Sequence, residues 1–253
     1  MINSQKIIVV IPTYKAFLTI KKVVETIPDY VDHIIVVDDK CPQKSGKVAL
    51  DLKNSRVSVI FHEINQGVGG ATVTGYNKAL ELFSDIVVKM DSDGQMDPKC
   101  LNRILSPILN DGYGYSKGNR FGNLKTLASM PKIRLLGNSI LSFLVKATSG
   151  YWNIMDPTNG YTAITRGSLL NINLAQVSHG YFFESSMLVN LNIMNITVKD
   201  VSIAAIYSGE KSSLNIAKEA FYFPLHLCIS LIRRLFYKYF LYNFNMCSIY
   251  LLL

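Results

Sequence analysis

Near the middle of the chain an apolar run, Ile86-Val87-Val88, passes through Lys89 and Met90 into Asp91-Ser92-Asp93-Gly94-Gln95, with Asp97 and Pro98 close behind. Residues i and i+2 of an extended segment point to the same side, so the carboxylates of Asp91 and Asp93 converge. Like charges that close repel, and they stay ionised at low cost only with a cation between or beside them. Carboxylate oxygens on an open site suit Mg2+ or Mn2+, ions commonly held by one or two carboxylates together with substrate phosphates. The pair reads as a divalent-ion site that clamps a diphosphate. The plainer alternative is solvated turn residues or a helix cap ahead of Pro98.

Chemistry at that place requires a sheet to present it. Unbroken β-branched runs mark strands buried on both faces: Lys6 to Ile11, His33 to Val37, Val57 to Phe61 and Asp85 to Met90. Helical patterns fall between them, at roughly Phe17 to Ile27, between the second and third strands, and from Gly69 to Phe83. That alternation predicts right-handed crossovers and a doubly wound, parallel α/β sheet. Ligands of such sheets sit outside the carboxyl ends of the strands. Two more polar clusters stand at such ends, Pro12-Thr13-Tyr14 and Asp38-Asp39. The second half is less regular: a strand and loop in Gly114 to Phe121, a mostly helical Leu124 to Gly150, a strand within Asp156 to Arg166, a helix in Tyr181 to Met194 and a last strand in Thr197 to Tyr207.

Gly67-Val68-Gly69 opens a dinucleotide-like Gly-x-Gly-x-x-Gly, but the sixth place is Thr72 and the run follows the third strand, not the first. The glycines either let a helix N-terminus approach a ligand or serve tight packing alone. The 253 residues are 49% hydrophobic and 17% charged, enough for one large domain or a domain with an appendage. Twenty-six Lys and Arg against 18 Asp and Glu give +8, a balance that suits nucleic acid, an anionic membrane surface or a phosphorylated substrate. Cys41, Cys100, Cys228 and Cys247 form no metal-ligand spacing with the four histidines and read as reduced, mostly buried thiols. The apolar run from Ile7 to Ile11 is too short for a signal peptide before Pro12. Nothing reaches the ~18 uninterrupted apolar residues of a membrane span.

Four motifs in order, Val9 to Ala16, Ile34 to Pro42, Asn65 to Leu80 and Met90 to Pro98, resemble the family 2 glycosyltransferases of the GT-A fold, and within them the subgroup that makes polyprenyl- or dolichyl-phosphate sugars. The likeness covers roughly Lys6 to Leu214. It implies a Rossmann-like, mostly parallel sheet flanked by helices, a UDP- or GDP-sugar donor, Mg2+ or Mn2+, inversion at the anomeric centre and a polyprenyl-phosphate acceptor. Pro12 and Tyr14 would frame the nucleotide, with Val37 and Asp39 at the base and ribose and Gly67 close to the ligand. Asp91, Asp93 and Gln95 would hold the metal and diphosphate. Arg120 and Arg134 would bind phosphate, Asp156, Asn159 and Gly160 would shape the sugar pocket, and Glu184 would lie on the acceptor side. Lys211 and Ser213 would meet the donor phosphates, although Ser208 or Tyr207 stands where the subgroup usually has arginine.

A lipid phosphate arrives anionic, whereas a hydroxyl acceptor needs a general base. The rival reading, transfer to a hydroxyl of a lipid-linked glycan, would give that task to Glu184. A processive polysaccharide synthase is disfavoured by the absence of a Gln-x-x-Arg-Trp motif, and a nucleotidyltransferase by the lack of a glycine-rich loop after the first strand. A non-catalytic binding module would leave the strand-end clusters without a role, and nucleic acid is not an expected partner. Residues 1–215 form the expected catalytic domain and 216–253 a juxtamembrane tail. On a helical wheel Arg233, Arg234 and Lys238 span an arc of about 140°, with Leu231, Ile232, Leu235, Phe236 and Tyr239 opposite. This predicts an amphipathic helix on an anionic membrane surface, at the cytoplasmic face, either cut short before membrane spans or a natural short form. A helix packed on the core or on a second subunit of a homo-oligomer is the alternative.

Overall fold

The computed structural model describes residue 2 and residues 4–122, 132–204 and 216–253, with side chains given except at 132–136, 138 and 216–221. The chain runs β1 (Ile7–Thr13), α1 (Ile20–Glu25), β2 (His33–Asp38), α2 (Ser45–Asp51), β3 (Val57–Phe61), α3 (Gly67–Glu81), β4 (Ile86–Lys89), α4 (Leu101–Asp111) and β5 (Tyr115–Asn119). It continues through α5 (Lys132–Ser149), β6 (Thr162–Thr165), α6 (Arg166–Asn171), α7 (Phe183–Ile193), β7 (Val198–Ser202), α8 (Ile216–Phe236) and α9 (Met246–Tyr250). The sheet order is β3-β2-β1-β4-β6-β5-β7. The four first-half strands pair in parallel, as does β5 with β7, while β6 runs antiparallel to both β4 and β5. The sheet is therefore mostly parallel, as expected, with β6 the strand that runs against its neighbours.

Every residue of β1 is buried because both faces are covered. Ile7, Val9 and Ile11 pack with Val23 and Val24 of α1 and with Leu101, Ile104 and Leu105 of α4. Ile8 and Val10 pack with Ala71, Tyr76 and Ala79 of α3 and with Met187, Leu188 and Leu191 of α7. Burial of this kind contributes ~25 cal/mol per Å² of apolar surface, which is why unbroken Ile/Val runs become the central strands.

One register sets the place of the site. β1 pairs with β4 only as far as Val10 against Lys89, but stays paired with β2 to Thr13 against Asp38. Beyond Lys89 the chain leaves the sheet, next to the point between β1 and β4 where the strand order reverses direction. Pro12, which has no N–H to offer, sits past the last β4 partner, where that lack costs β4 no hydrogen bond.

The tail departs from its expected orientation. Arg234 is buried; its Nε donates to Thr148 O at 2.6 Å and its Nη2 to Ala147 O at 3.2 Å, at the last turn of α5. Lys238 Nζ donates to the Oδ1 and O of Asn192 at 2.9 and 3.2 Å, at the end of α7, and Arg233 Nη1 to Gln176 O at 3.1 Å. The cation arc thus faces the protein, where carbonyls in the last turns of two helices and the negative ends of their dipoles attract it. Ile229, Ile232 and Phe236 are among the residues turned outward. Phe223 and Leu227 of α8 join the core on the α7 side, and Phe223 meets Phe182 edge-on at 4.9 Å. Among the described residues no helix is long and apolar enough to cross a membrane. The cysteines are all free, but only Cys41 and Cys100 are buried; Cys228 and Cys247 are exposed, against the expectation of mostly buried thiols.

Candidate active site

At the open end of β4 a cavity of about 140 Å3 is lined by Asp91, Asp93, Gln95, Arg120, Asn159 and Gly160, with Met96, Thr158, Ile203 and Ala204 completing the wall. Gly94, at φ +76°, turns the chain so that the Gln95 N–H donates to Asp93 Oδ1 at 2.9 Å. Asp91, Asp93 and Gln95 bring hard oxygen donors to one wall, which is the donor chemistry that Mg2+ or Mn2+ takes. Among the described residues no group of three or more His, Cys, Asp or Glu side chains surrounds a point where protein alone could encircle an ion.

Directly behind Asp91 lies a fully buried lysine. Lys89 Nζ donates to Asp91 Oδ1 at 2.6 Å, to Glu184 Oε1 at 3.1 Å and to Gly160 O at 3.4 Å. Burial alone would lower the ammonium, but the charges of Asp91 and Glu184 outweigh it and hold Lys89 above the usual lysine range. Gly160 has no room for a side chain, since a Cβ there would stand 2.5 Å from Lys89 Nζ and 2.7 Å from Asp91 Oδ2.

A second buried lysine supports the same loop. Lys117 of β5 donates through Nζ to Asn159 O, one residue before the carbonyl that Lys89 reaches. Burial lowers this lysine to about 8, opposed in part by Glu184 and Asp156. Arg120 closes the loop's other end: its Nε donates to Asp156 Oδ2 at 2.7 Å and its Nη2 to Oδ1 at 3.0 Å, and its backbone N–H also reaches Oδ2 at 3.1 Å. Asp156 is fully buried, so this bidentate pair fixes the guanidinium plane at the cavity edge. Nearby Asp200, raised by burial to about 6, accepts the Met155 N–H at 2.7 Å.

At the ends of β1 and β2, Pro12 pairs with Val37, both buried, and Tyr14 is 43% exposed with Lys15 Nζ 5.3 Å over its ring. Asp39 is turned inward. Its carboxylate accepts the N–H groups of Gln66 and Gly67 at 2.8 Å each, and His62 Nδ1 lies 2.8 Å from Oδ1. Further along the first turn of α3, the N–H groups of Gly69 and Gly70 go to His179 O at 2.7 and 3.2 Å. A Cβ on Gly69 would stand 2.2 Å from Ser178 O. Tight packing, rather than ligand approach, therefore accounts for the glycines and for Gly67, whose φ is +82°. The start of α3 is thus held from within by Asp39 and His179, with Gly67 and the Asp39 carboxylate, both expected beside a ligand, engaged in that contact.

The family profile "Glycosyl transferase family 2" matches residues 8–172, well over half of the chain and all of the strand-end clusters just described. The chain belongs to glycosyl transferase family 2. This glycosyltransferase is 33% identical over 217 residues to a UDP-N-acetylglucosamine--dolichyl-phosphate N-acetylglucosaminyltransferase of Methanococcus voltae, covering 80% of this chain and 86% of that one. It is 31% identical over 189 residues to a polyprenol monophosphomannose synthase of Mycolicibacterium smegmatis, covering 72% and 70%. Its fold is similar to that of glucosyl-3-phosphoglycerate synthase from Mycobacterium tuberculosis, solved with Mn2+, UDP and phosphoglyceric acid. That match has a TM-score of 0.67 and 19% identity and covers 91% of this chain and 78% of that one. The GT-A expectation for the fold holds.

In this glycosyltransferase Asp91, Asp93, Gln95, Arg120, Asn159 and Gly160 come together on one cavity, with Asp156 anchoring Arg120 from behind. Glu184 does not line the cavity; its side chain is 12% exposed and held by Lys89. Lys211 and Ser213 lie outside the described residues, as does the side chain of Arg134, whose backbone is in α5. The sequence reading missed Lys89 and Lys117. The signal was present: a lysine inside an otherwise apolar strand must find partners if it is buried, and Asp91, two residues further along, is one.

Proposed function

We propose that this glycosyltransferase moves one sugar from a nucleotide-diphosphate donor to a polyprenyl phosphate at the cytoplasmic surface of a membrane, with inversion and with Mg2+ or Mn2+. The observation that carries this reading is the state of the carboxylates. Glu184 is ion-paired with Lys89 behind the cavity, Asp156 with Arg120, and Asp91 and Asp93 belong to the oxygen cluster suited to a metal. A hydroxyl acceptor needs a positioned base, whereas a phosphate monoester, with a second pKa near 6, brings its own negative oxygen. The lipid phosphates named for the relatives above agree with that acceptor, and the donor named for the Methanococcus voltae enzyme favours a uridine nucleotide.

In this mechanism Asp91, Asp93 and Gln95 would hold the ion against the donor diphosphate. When bound, the ion offsets the charge growing on the departing group. Arg120, locked by Asp156, presents a fixed guanidinium to phosphate oxygens at the cavity edge. A lipid phosphate oxygen attacks the anomeric carbon, the bond from that carbon to the diphosphate oxygen breaks, and the nucleoside diphosphate leaves. A single displacement of this kind inverts the centre. Gly160 and Asn159, stapled by Lys89 and Lys117, keep the wall beside the reacting atoms from collapsing onto Asp91. The outward Ile229, Ile232 and Phe236 of α8 supply an apolar surface for lipid.

The test uses the full chain in detergent with labelled UDP- and GDP-sugars, a short polyprenyl phosphate and Mn2+ or Mg2+. Sugar should appear on the lipid phosphate without any saccharide acceptor, and the Asp91→Asn enzyme should lose this transfer. Transfer to a lipid-linked glycan but never to polyprenyl phosphate would overturn the proposal.

A further inference from the structure

Resting on the catalytic reading above, the peptide between Asn159 and Gly160 carries a statement about how the sugar is held. We propose that Lys117 is a positioning residue that turns the Gly160 N–H into the cavity, where it donates to a hydroxyl of the transferred sugar.

The backbone supplies the direction. Among the described residues no peptide bond is cis, so the C=O of Asn159 and the N–H of Gly160 share a plane and point opposite ways. That carbonyl accepts from Lys117 Nζ. Lys117 follows Tyr115 by two residues and shares its strand face, and Tyr115 packs in the layer with α3 and α7. Met96 and Ile203, which wall the cavity together with Gly160, pack in the other layer, with α1 and α4. The lysine thus draws the carbonyl to one side of the sheet, and the N–H faces the side of the cavity wall. Gly160 is buried, and among the described residues nothing accepts its N–H. Buried backbone N–H groups are almost always paired, so this one takes its partner from the cavity.

The neighbours decide which oxygen that is. Lys89 is shared between Asp91 Oδ1, Glu184 Oε1 and Gly160 O, while Asp91 Oδ2 stands 2.7 Å from the place a Gly160 Cβ would take. Asp93 lines the same cavity. An oxygen that meets the N–H therefore lies close to carboxylate. A hydroxyl suits that place because it accepts from the N–H and donates to Asp91, whereas an ionised phosphate oxygen only accepts and is repelled. The ammonium on the carbonyl side polarises the peptide and strengthens its N–H as a donor.

Asn159-Gly160 is the one Asn-Gly step in the chain, so asparagine labelled at its carbonyl carbon, with nitrogen-labelled glycine, singles out this amide in NMR spectra of the full chain. Aspartate labelled likewise marks Gly94, in the turn after Asp93, and Gly112, past the end of α4; Gly94 reports nucleotide binding and Gly112 serves as the reference. With Mg2+ and a panel of UDP- and GDP-sugars, a donor that binds should move the Gly160 amide downfield. The matching nucleoside diphosphate alone should move Gly94 and leave Gly160 in place. In K117M the Gly160 response should be lost and KM for the donor should rise about tenfold, the weight of roughly one hydrogen bond, with affinity for the nucleoside diphosphate unchanged. Gly160 answering UDP or GDP alone as strongly as the sugar nucleotide would overturn the inference, as would a still Gly160 amide while Gly94 moves with the donor. An undiminished Gly160 response in folded K117M would overturn it too, and the wild-type spectra decide the ligand even if that variant does not fold. Neither amide moving with any donor would defeat the catalytic reading and take the inference with it.

Discussion

Replacing Lys117 by methionine should change how stability depends on pH. In the folded protein burial brings this lysine to about 8, against an ordinary 10.5. At ~1.36 kcal/mol per unit, keeping it charged in its buried place costs about 3 kcal/mol. The unfolded chain holds the proton until the ordinary range, so below pH 8 both states are protonated and the full cost is present. Between pH 8 and 10.5 the unfolded state binds more protons, and stability rises with pH. The neutral amine can still donate to Asn159 O, so the contact survives while the charge goes. From pH 7 to pH 10 the wild type should gain about 2 kcal/mol relative to K117M, or roughly 4–8 °C in Tm for a chain of this size. Thermal melts of both proteins across that range read the difference directly. Tyr76, raised by burial to about 12, and the other buried tyrosines contribute equally to both curves and cancel. Parallel curves would mean that Glu184 and Asp156 hold Lys117 charged throughout, and the reasoning would fail.

Two further outcomes follow from single contacts. Gly160→Ala sets a Cβ 2.5 Å from Lys89 Nζ and 2.7 Å from Asp91 Oδ2; it should cost about 1–3 kcal/mol in melts and lower kcat/KM about 10²-fold by displacing Asp91. A normal kcat/KM would show that the loop yields without moving the carboxylate. Arg234→Ala strips the donors from Ala147 O and Thr148 O and should destabilise by about 2–4 kcal/mol, measured by urea unfolding, with little effect on Mn2+ binding.

What could be read from the letters, and what could not, divides on physical grounds. The central strands were legible because β1, β2 and β4 are covered on both faces and so carry unbroken apolar runs, and Asp91, Asp93 and Gln95 because a polar triplet at such a strand's end has nowhere else to face. Strand direction was not: the pattern of Thr162–Thr165 says strand, but nothing local says that it runs against β4. Gly67 to Gly70 announced a close approach of backbone without saying to what, and the partner, His179, is more than a hundred residues away. The helical wheel of the tail found the arc of Arg233, Arg234 and Lys238, but a wheel has no inside. Only the carbonyls at the ends of α5 and α7, brought beside the tail by the fold, decide which way it turns.

That turn bears on how the enzyme can be trimmed. A segment rich in outward Ile and Phe invites deletion by anyone seeking a better-behaved sample, on the supposition that it is a detachable foot. Cutting it away would pull two arginines and a lysine out of their sockets, leave the final turns of two neighbouring helices open, and strip Phe223 from the ring of Phe182. The shortened protein would be less greasy and also less folded, so the tail and the body of this transferase have to be kept or lost together.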